Sequence, residues 1–387
     1  MISMLQSVQN GCSGLLQQSL NMTIRDRRQK EFADAWLNSG KFAILNLCPR
    51  FGKIYTTINI LEKLKPTNVL IAYPDNKIKQ SWKDDFEKRG WDDSNVTYTT
   101  HLSIKKHLED SFDLIVIDEI HLLSEAQIEA VKELIANHDS FRSTGAGHVL
   151  GLTGTLSSHT ERTLYEELNL SVSATYSIEQ AIQEGVVVDY EITVVKVPLD
   201  DLIKNNYKGK QRTEKQQFDA YGYVIDGLER SGKSTMFLRL ARMRIIQNSI
   251  AKLRRTKKIL SEHKDDRILV FCGVTKIADQ LGIPSYHSKK EEKKIFDDFV
   301  EGKGKHLAVV KIGNTGVTYK PLNRVIINYF DSNGENLAQK INRCMAMEYD
   351  NPDKKAQIYI ISSDETVELK WLQKALEFFD KTKIRYI

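Results

Sequence analysis

Sulfur and proline are scarce in this chain. Its 387 residues hold seven prolines and four cysteines, Cys12, Cys48, Cys272 and Cys344. No two of these cysteines stand at CxxC spacing and none joins a histidine cluster, which leaves out a disulfide framework and a zinc module and suits a reducing compartment. Long apolar runs are missing as well. FAILNL before Cys48 and DLIVI before Asp118 fall far short of the roughly 20 residues that span a bilayer, so no membrane partner and a cytoplasmic location are expected. The first residues, 1–22, lack the basic start and continuous apolar centre of a secretory signal and read as a partly ordered extension. No repeat of solenoid length and no low-complexity tract is present. A dominant charge sign is also absent: 56 Lys and Arg face 51 Asp and Glu, a net +5, which would suit a phosphate-backbone partner without demanding one.

What is present is an ordinary folded composition, 41% hydrophobic and 28% charged, on a length that predicts two domains. From Lys41 onward short apolar runs alternate with longer amphipathic stretches, the pattern of strands joined by crossover helices in a parallel sheet. It occurs twice. The first set of strand candidates is FAILNL, NVLIAYP, NVTYTT, DLIVIDE and HVLGLTG; the second is EITVVKVPL, RILVFCG, HLAVVKIG, NRVIINYF and AQIYIIS. The expected domains are 23–185 and 186–387. The second includes, at about 201–264, a helical connector with a basic face carrying Arg239, Arg242, Arg244, Arg254 and Arg255, a candidate nucleic-acid contact or a solvated helix face.

Three segments carry chemistry. FAILNL runs into Cys48-Pro49-Arg50-Phe51-Gly52-Lys53 and then a helical stretch, the strand–turn–helix context in which backbone N–H groups and the helix dipole cradle an anion. Gly52 permits close approach and Lys53 would neutralise phosphate charge. The usual first glycine is absent, and Ile54 stands where a Ser or Thr hydroxyl normally ligates Mg²⁺. DLIVI ends in Asp118-Glu119-Ile120-His121, two carboxylates at the end of a buried strand, where Asp118 could hold Mg²⁺ and Glu119 could orient and deprotonate an attacking water; the plainer reading is a cap on the next helix. HVLGLTG continues into Thr153-Gly154-Thr155. A decoy, Gly227 to Ser234, spells GxxxxGKS more fully, yet YGYVID before it is a poor buried strand and no acidic strand end follows.

In order and spacing, the loop at Lys53, the DEIH box, the GLTGT segment and the distal Gln339-Lys340-Ile341-Asn342-Arg343 resemble superfamily 2 helicases of the DExH type. The likeness runs from about Thr23 to Ser362 and is nearest to compact phage-type and type III restriction-type members. It implies an α/β fold of two RecA-like doubly wound parallel-sheet domains in tandem, with ATP and Mg²⁺ as cofactors. It implies catalytic roles for Lys53, Asp118, Glu119, Gln339 and Arg343, the last as an arginine finger. It implies nucleotide contacts from Gln29, at the adenine edge, and from the loop residues Arg50, Phe51, Gly52, Lys53, Ile54 and Tyr55. AYPDNKIKQSWKDDF and VTYTTHLS resemble the segments that grip a nucleic-acid backbone, which implies Pro74, Gln80, Thr99 and Thr100 near the strand, with Trp82 a packing residue. VVKIGNTGVTYKPLNRVII resembles the segment coupling nucleotide to strand and implies Thr315 and Gly316. Ala346 replaces a customary second arginine. The implied activity is ATP-dependent helicase or translocase action on nucleic acid, DNA before RNA, by a monomer. A nucleotide-gated clamp or assembly factor is the alternative, and a small-molecule kinase using Lys233 a distant third.

Overall fold

The structure is a computed structural model that describes residues 22–137, 147–207, 209–290, 292–310, 319–331, 334–345, 354–364, 366–377 and 379–387. The chain divides after Val186 into two compact units.

In the first unit the strands are β1 (Phe42–Leu47), β2 (Val69–Tyr73), β3 (Val96–Thr100), β4 (Leu114–Asp118), β5 (His148–Thr153) and β6 (Ser171–Tyr176). They form one sheet in the order β3-β2-β4-β5-β1-β6, parallel at every pairing. Both faces of its centre are covered, so β2 and β4 are buried at every position and read as continuous apolar runs. The helices are α1 (Ile24–Asn38), α2 (Lys53–Leu64), α3 (Lys77–Arg89), α4 (Glu125–Asn137), α5 (Ser158–Leu168) and α6 (Ile178–Gln183). Thr23 and Asp26 close a capping box at the start of α1. Ile44, Leu70, Ile115, Ile117, Val131 and Leu164 belong to one buried cluster. Because all strands run one way, their carboxyl ends share one edge of the sheet, the edge where ligands bind in open parallel sheets. The sequence pattern missed β6: it is an edge strand with only Tyr176 buried, so it has no apolar run to show.

The second unit holds β7 (Asp189–Val197), a small antiparallel hairpin β8 (Asn205–Tyr207) and β9 (Lys210–Arg212), then β10 (Ile268–Cys272), β11 (Ser285–Tyr286), β12 (His306–Val310), β13 (Arg324–Ile327), β14 (Lys355–Ser363) and β15 (Ile384–Tyr386). Apart from the hairpin these make a parallel sheet in the order β11-β12-β10-β13-β14-β7-β15. The helices are α7 (Glu214–Arg230), α8 (Met236–Gln247), α9 (Ile250–Glu262), α10 (Thr275–Gln280), α11 (Lys293–Val300), α12 (Gly334–Ile341) and α13 (Glu368–Leu376).

The expected helical connector resolves into three parts of different character. It opens with the β8–β9 hairpin. The helices α7 and α8 pack on each other through Phe218, Ile245 and Ile246. The third helix, α9, is part of the sheet's own core, with Leu253, Ile259 and Leu260 buried beside Ile268, Val270 and Ile361. Its basic face is partly spent on ion pairs: Lys252 is buried and pairs with Glu368 at 2.6 Å, and the half-exposed Arg254 pairs with Asp200 at 2.7 Å. The decoy Gly227–Ser234 occupies the last turn of α7 and the turn after it, where the Lys233 N–H closes on the Leu228 carbonyl. A helix, not a strand, leads into it, so the context of a phosphate loop is absent. Among the described residues no helix is long and apolar enough to cross a membrane.

Candidate active site

The first unit gathers the Lys53, Asp118, Glu119 and Gln29 side chains around the turn that leaves β1. That turn has left-handed backbone at Arg50 (φ 68°) and Gly52 (φ 101°), after which α2 begins at Lys53. A Cβ on Gly52 would stand 2.5 Å from Gln29 Nε2, so the glycine is required both by its φ and by the side chain above it. Gln29 is buried on α1 and its amide N–H donates to the Phe51 carbonyl at 3.0 Å, while its Oε1 is buried without a hydrogen-bond partner among the described residues. The Phe51 ring itself is core, edge-on to Phe32 and Tyr176, so this residue contributes main chain to the turn. Ile54 and Tyr55 are half-buried, with the Arg89 guanidinium 4.4 Å from the Tyr55 ring centre. The hydroxyls of Thr56 and Thr57 donate to the helix carbonyls of Gly52 and Lys53. Arg28 pairs with Glu184, which also accepts from the Tyr176 hydroxyl at 2.8 Å, so Arg28 ties α1 down.

Lys53 Nζ donates to Glu119 Oε1 at 2.5 Å. Burial works against its ammonium, and the Glu119 and Asp118 carboxylates outweigh it, so the pKa lies above the ordinary lysine value. Asp118, the last residue of β4, is 6% exposed; its Oδ2 accepts the indole N–H of Trp82 at 3.1 Å and its buried Oδ1 has no hydrogen-bond partner among the described residues. Burial pushes its carboxyl up to about 6 against the pull of Lys53. Glu119 turns left-handed (φ 51°), and its Oε2 lies 3.5 Å from His121 Nδ1. His121 is buried, its Nδ1 2.9 Å from Thr153 Oγ1 and its Nε2 unpartnered; burial drives its pKa down to about 4, so the ring is neutral. Thr153 Oγ1 also donates to the Thr155 carbonyl at 3.0 Å, and its contact with His121 joins the end of β5 to the turn after β4. Chemically, the turn offers amide N–H groups and an ammonium to an anion, Asp118 offers one buried carboxylate oxygen to a cation, and Glu119 is a base on the same edge. Among the described residues no three His, Cys, Asp or Glu side chains form a metal cage, so a cation here would rely on Asp118 together with oxygens from outside the protein.

The residues expected at a strand are spread along the same carboxyl edge. Pro74 follows β2 half-buried, and Gln80 is exposed on α3, where it bonds Asp84 at 2.7 Å. Thr99 is buried within β3 and Thr100 half-buried at its end; burial takes the Thr99 hydroxyl away from a surface ligand and leaves Thr100 as the hydroxyl of the pair. Two residues gained a role that the sequence did not show. Trp82 is core, as expected from packing, and also holds Asp118. His101, one residue past Thr100, is buried with Nε2 2.9 Å from the Asp118 carbonyl. No local pattern announces either contact, because each joins segments far apart in the chain.

In the second unit Gln339 lies half-buried on α12, and Arg343 lies half-buried in the 3₁₀ turn Asn342–Cys344 that follows it. Lys340, between them, is buried, with burial pushing its pKa down. Lys311, Thr315, Gly316 and Ala346 lie outside the described residues.

Residues 251–347, from α9 to just beyond Arg343, match the family model "Helicase conserved C-terminal domain". Among curated proteins the chain is similar to the DNA 3'-5' translocase XPB2 of Sulfurisphaera tokodaii, 23% identical over 323 residues that cover 75% of this chain and 71% of that protein. Among solved structures it is similar to the helicase domain of Hef from Pyrococcus furiosus, with a TM-score of 0.50 and 13% identity, covering 92% of this chain and 98% of the other. That structural likeness bears on the fold alone: two RecA-like α/β domains in tandem. The two sequence similarities are to a helicase C-terminal domain and to a DNA translocase.

Proposed function

We propose that this chain is an ATP- and Mg²⁺-dependent nucleic-acid motor, a helicase or translocase that acts as a monomer on DNA in preference to RNA. Its motif spellings resemble the compact phage-type or type III restriction-type branch, and its scattered cysteines suit a reducing, cytoplasmic compartment. The observation that carries the reading is the convergence of Lys53, Asp118 and Glu119 on the phosphate-loop turn, with buried acceptors left open at Asp118 Oδ1 and Gln29 Oε1. Those atoms fit a magnesium nucleotide: a carboxylate oxygen for the ion, an amide oxygen for a base edge, and an ammonium with helix-start amides for phosphates. Bound Mg²⁺–ATP supplies the scissile phosphoanhydride and the metal charge that offsets its phosphates. Phosphate oxygens at the loop compete with Glu119 for the Lys53 ammonium, and the carboxylate so released orients and deprotonates a water. For Gln339 and Arg343 the roles implied by the resemblance are kept as part of this proposal, on the γ-phosphate region and on charge that develops in the transition state. Pro74, Gln80 and Thr100 hold the strand by its phosphates with little regard for base sequence, and the same role is proposed for Thr315 and Gly316. The preference for DNA rests on the translocase relative.

Phosphate release measured in parallel with single-stranded DNA, duplex, forked DNA and RNA tests this reading. The wild type is expected to turn over and to be stimulated most by DNA. Lys53→Ala should lose turnover by two orders of magnitude or so while keeping salt-sensitive strand binding, and Arg343→Ala should bind nucleotide and hydrolyse it slowly. Turnover unchanged by Lys53→Ala sinks the site assignment. A second reading, a clamp that closes on nucleic acid with weak or no hydrolysis, is favoured by Ile54, which gives the loop no hydroxyl after its lysine; ATP-dependent retention on DNA without phosphate release would select it.

A further inference from the structure

Besides the Lys53 charge and the Glu119 main-chain N–H, which also act on its carboxylate, Asp118 is held from two directions by segments that the proposed reading places against a nucleic-acid strand. On the side chain, Trp82 of α3 donates its indole N–H to Oδ2 at 3.1 Å. On the main chain, His101, which directly follows Thr100, places Nε2 2.9 Å from the Asp118 carbonyl oxygen. Trp82 is 0% exposed, His101 3% and Asp118 6%, so neither bond competes with water and each is worth more than its surface counterpart. A carboxylate pivots about its last torsion unless something pins it. Here the phosphate loop offers no pin, since Ile54 follows the lysine and the Thr56 and Thr57 hydroxyls are spent on the Gly52 and Lys53 carbonyls. The indole therefore helps set which oxygen Asp118 presents: Oδ2 accepts from Trp82, and Oδ1 is buried with no hydrogen-bond partner among the described residues.

We infer that Trp82 and His101 are positioning residues that couple strand occupancy to the metal-holding carboxylate. A strand that grips Gln80 and Thr100 restrains α3 and the turn after β3, and these are the two bodies that carry the donors to Asp118. Restraint at one site then appears as affinity at the other, and the coupling is reciprocal. The inference rests on the proposed function, and its test separates the two.

The experiment titrates Mg²⁺ against binding of a fluorescent non-hydrolysable ATP analogue, with and without a single-stranded oligonucleotide, in wild type, Trp82→Phe, His101→Gln and His101→Leu, each checked for folding by its melting curve. In the wild type the oligonucleotide should tighten Mg²⁺-dependent binding. Trp82→Phe keeps an aromatic ring and loses the donor. It should weaken Mg²⁺-dependent binding about tenfold, the scale of one hydrogen bond to a charged group, leave Mg²⁺-free binding unchanged and remove most of the oligonucleotide effect. His101→Gln, whose amide N–H can replace Nε2, should keep the effect, and His101→Leu should lose it. A folded Trp82→Phe protein with wild-type Mg²⁺ dependence, or one weakened equally with and without Mg²⁺, overturns the inference, as does a wild type indifferent to the oligonucleotide. Should Trp82→Phe fail to fold, the two His101 variants decide. A wild type that does not bind the analogue at all sinks the nucleotide-site reading instead.

Discussion

Lys252 and Glu368 meet where neither touches solvent, 1% and 0% exposed at their side chains and 2.6 Å apart. The ammonium also donates to the Asn328 carbonyl at 3.2 Å, and the second carboxylate oxygen accepts from the Ser363 N–H at 2.8 Å. Burial of such a pair costs more than isolated charges can recover, and the additional hydrogen bonds make up the difference. The two halves are therefore interdependent. Glu368→Ala should destabilise the protein by about 3–5 kcal/mol in urea unfolding, because it strands a buried ammonium. The double variant Lys252→Met with Glu368→Leu should recover most of that loss; additive losses would show that the charges do not compensate each other. Nothing in the sequence distinguished Lys252 from the neighbouring basic residues of α9. Its partner lies far along the chain, and a helical pattern reports which face is apolar, not which lysine will be enclosed.

Elements were legible in proportion to how fully they are buried. β2, β4 and β10, covered on both faces, announce themselves as VLIAY, LIVID and ILVFC, whereas β6, β11 and β15 lie at or next to sheet edges and carry no such run. The candidate site was legible where chemistry is local: Gly52-Lys53 after β1 and Asp118-Glu119 at the end of β4 stand out by their strand-end context and their order along the chain. The contacts that join those elements were not. Gly154, after β5, is one such joint. A Cβ there would lie 3.0 Å from the Leu47 carbonyl oxygen and 3.2 Å from Pro49 Cδ, so β5 and the phosphate-loop turn approach through the missing side chain. Gly154→Ala should cost about 1–3 kcal/mol of stability and weaken nucleotide binding at the loop, as read by thermal melting and analogue titration. Unchanged melting and affinity would mean that Pro49 yields without consequence.

At the scale of the whole molecule the two units, both parallel sheets, differ in how their chains are threaded. Each pairing in the first joins strands between Phe42 and Tyr176. In the second, β7 comes first in the chain, yet its register partners are Lys355–Ser363 on one side and Ile384–Tyr386 on the other. Translation therefore exposes β7 long before either neighbour exists, while the first unit already has all its strands. Non-local pairing of this kind is slow and leaves an apolar segment uncovered in the interval. Ribosome-stalled chains ending near residue 300 should show a protease-resistant first unit followed by a cleavable tail; equal resistance of both parts would contradict this order. The strand that opens the second unit is thus the one whose completion waits on β14 and β15, and a nascent chain of this protein depends on whatever shelters β7 until those two strands emerge.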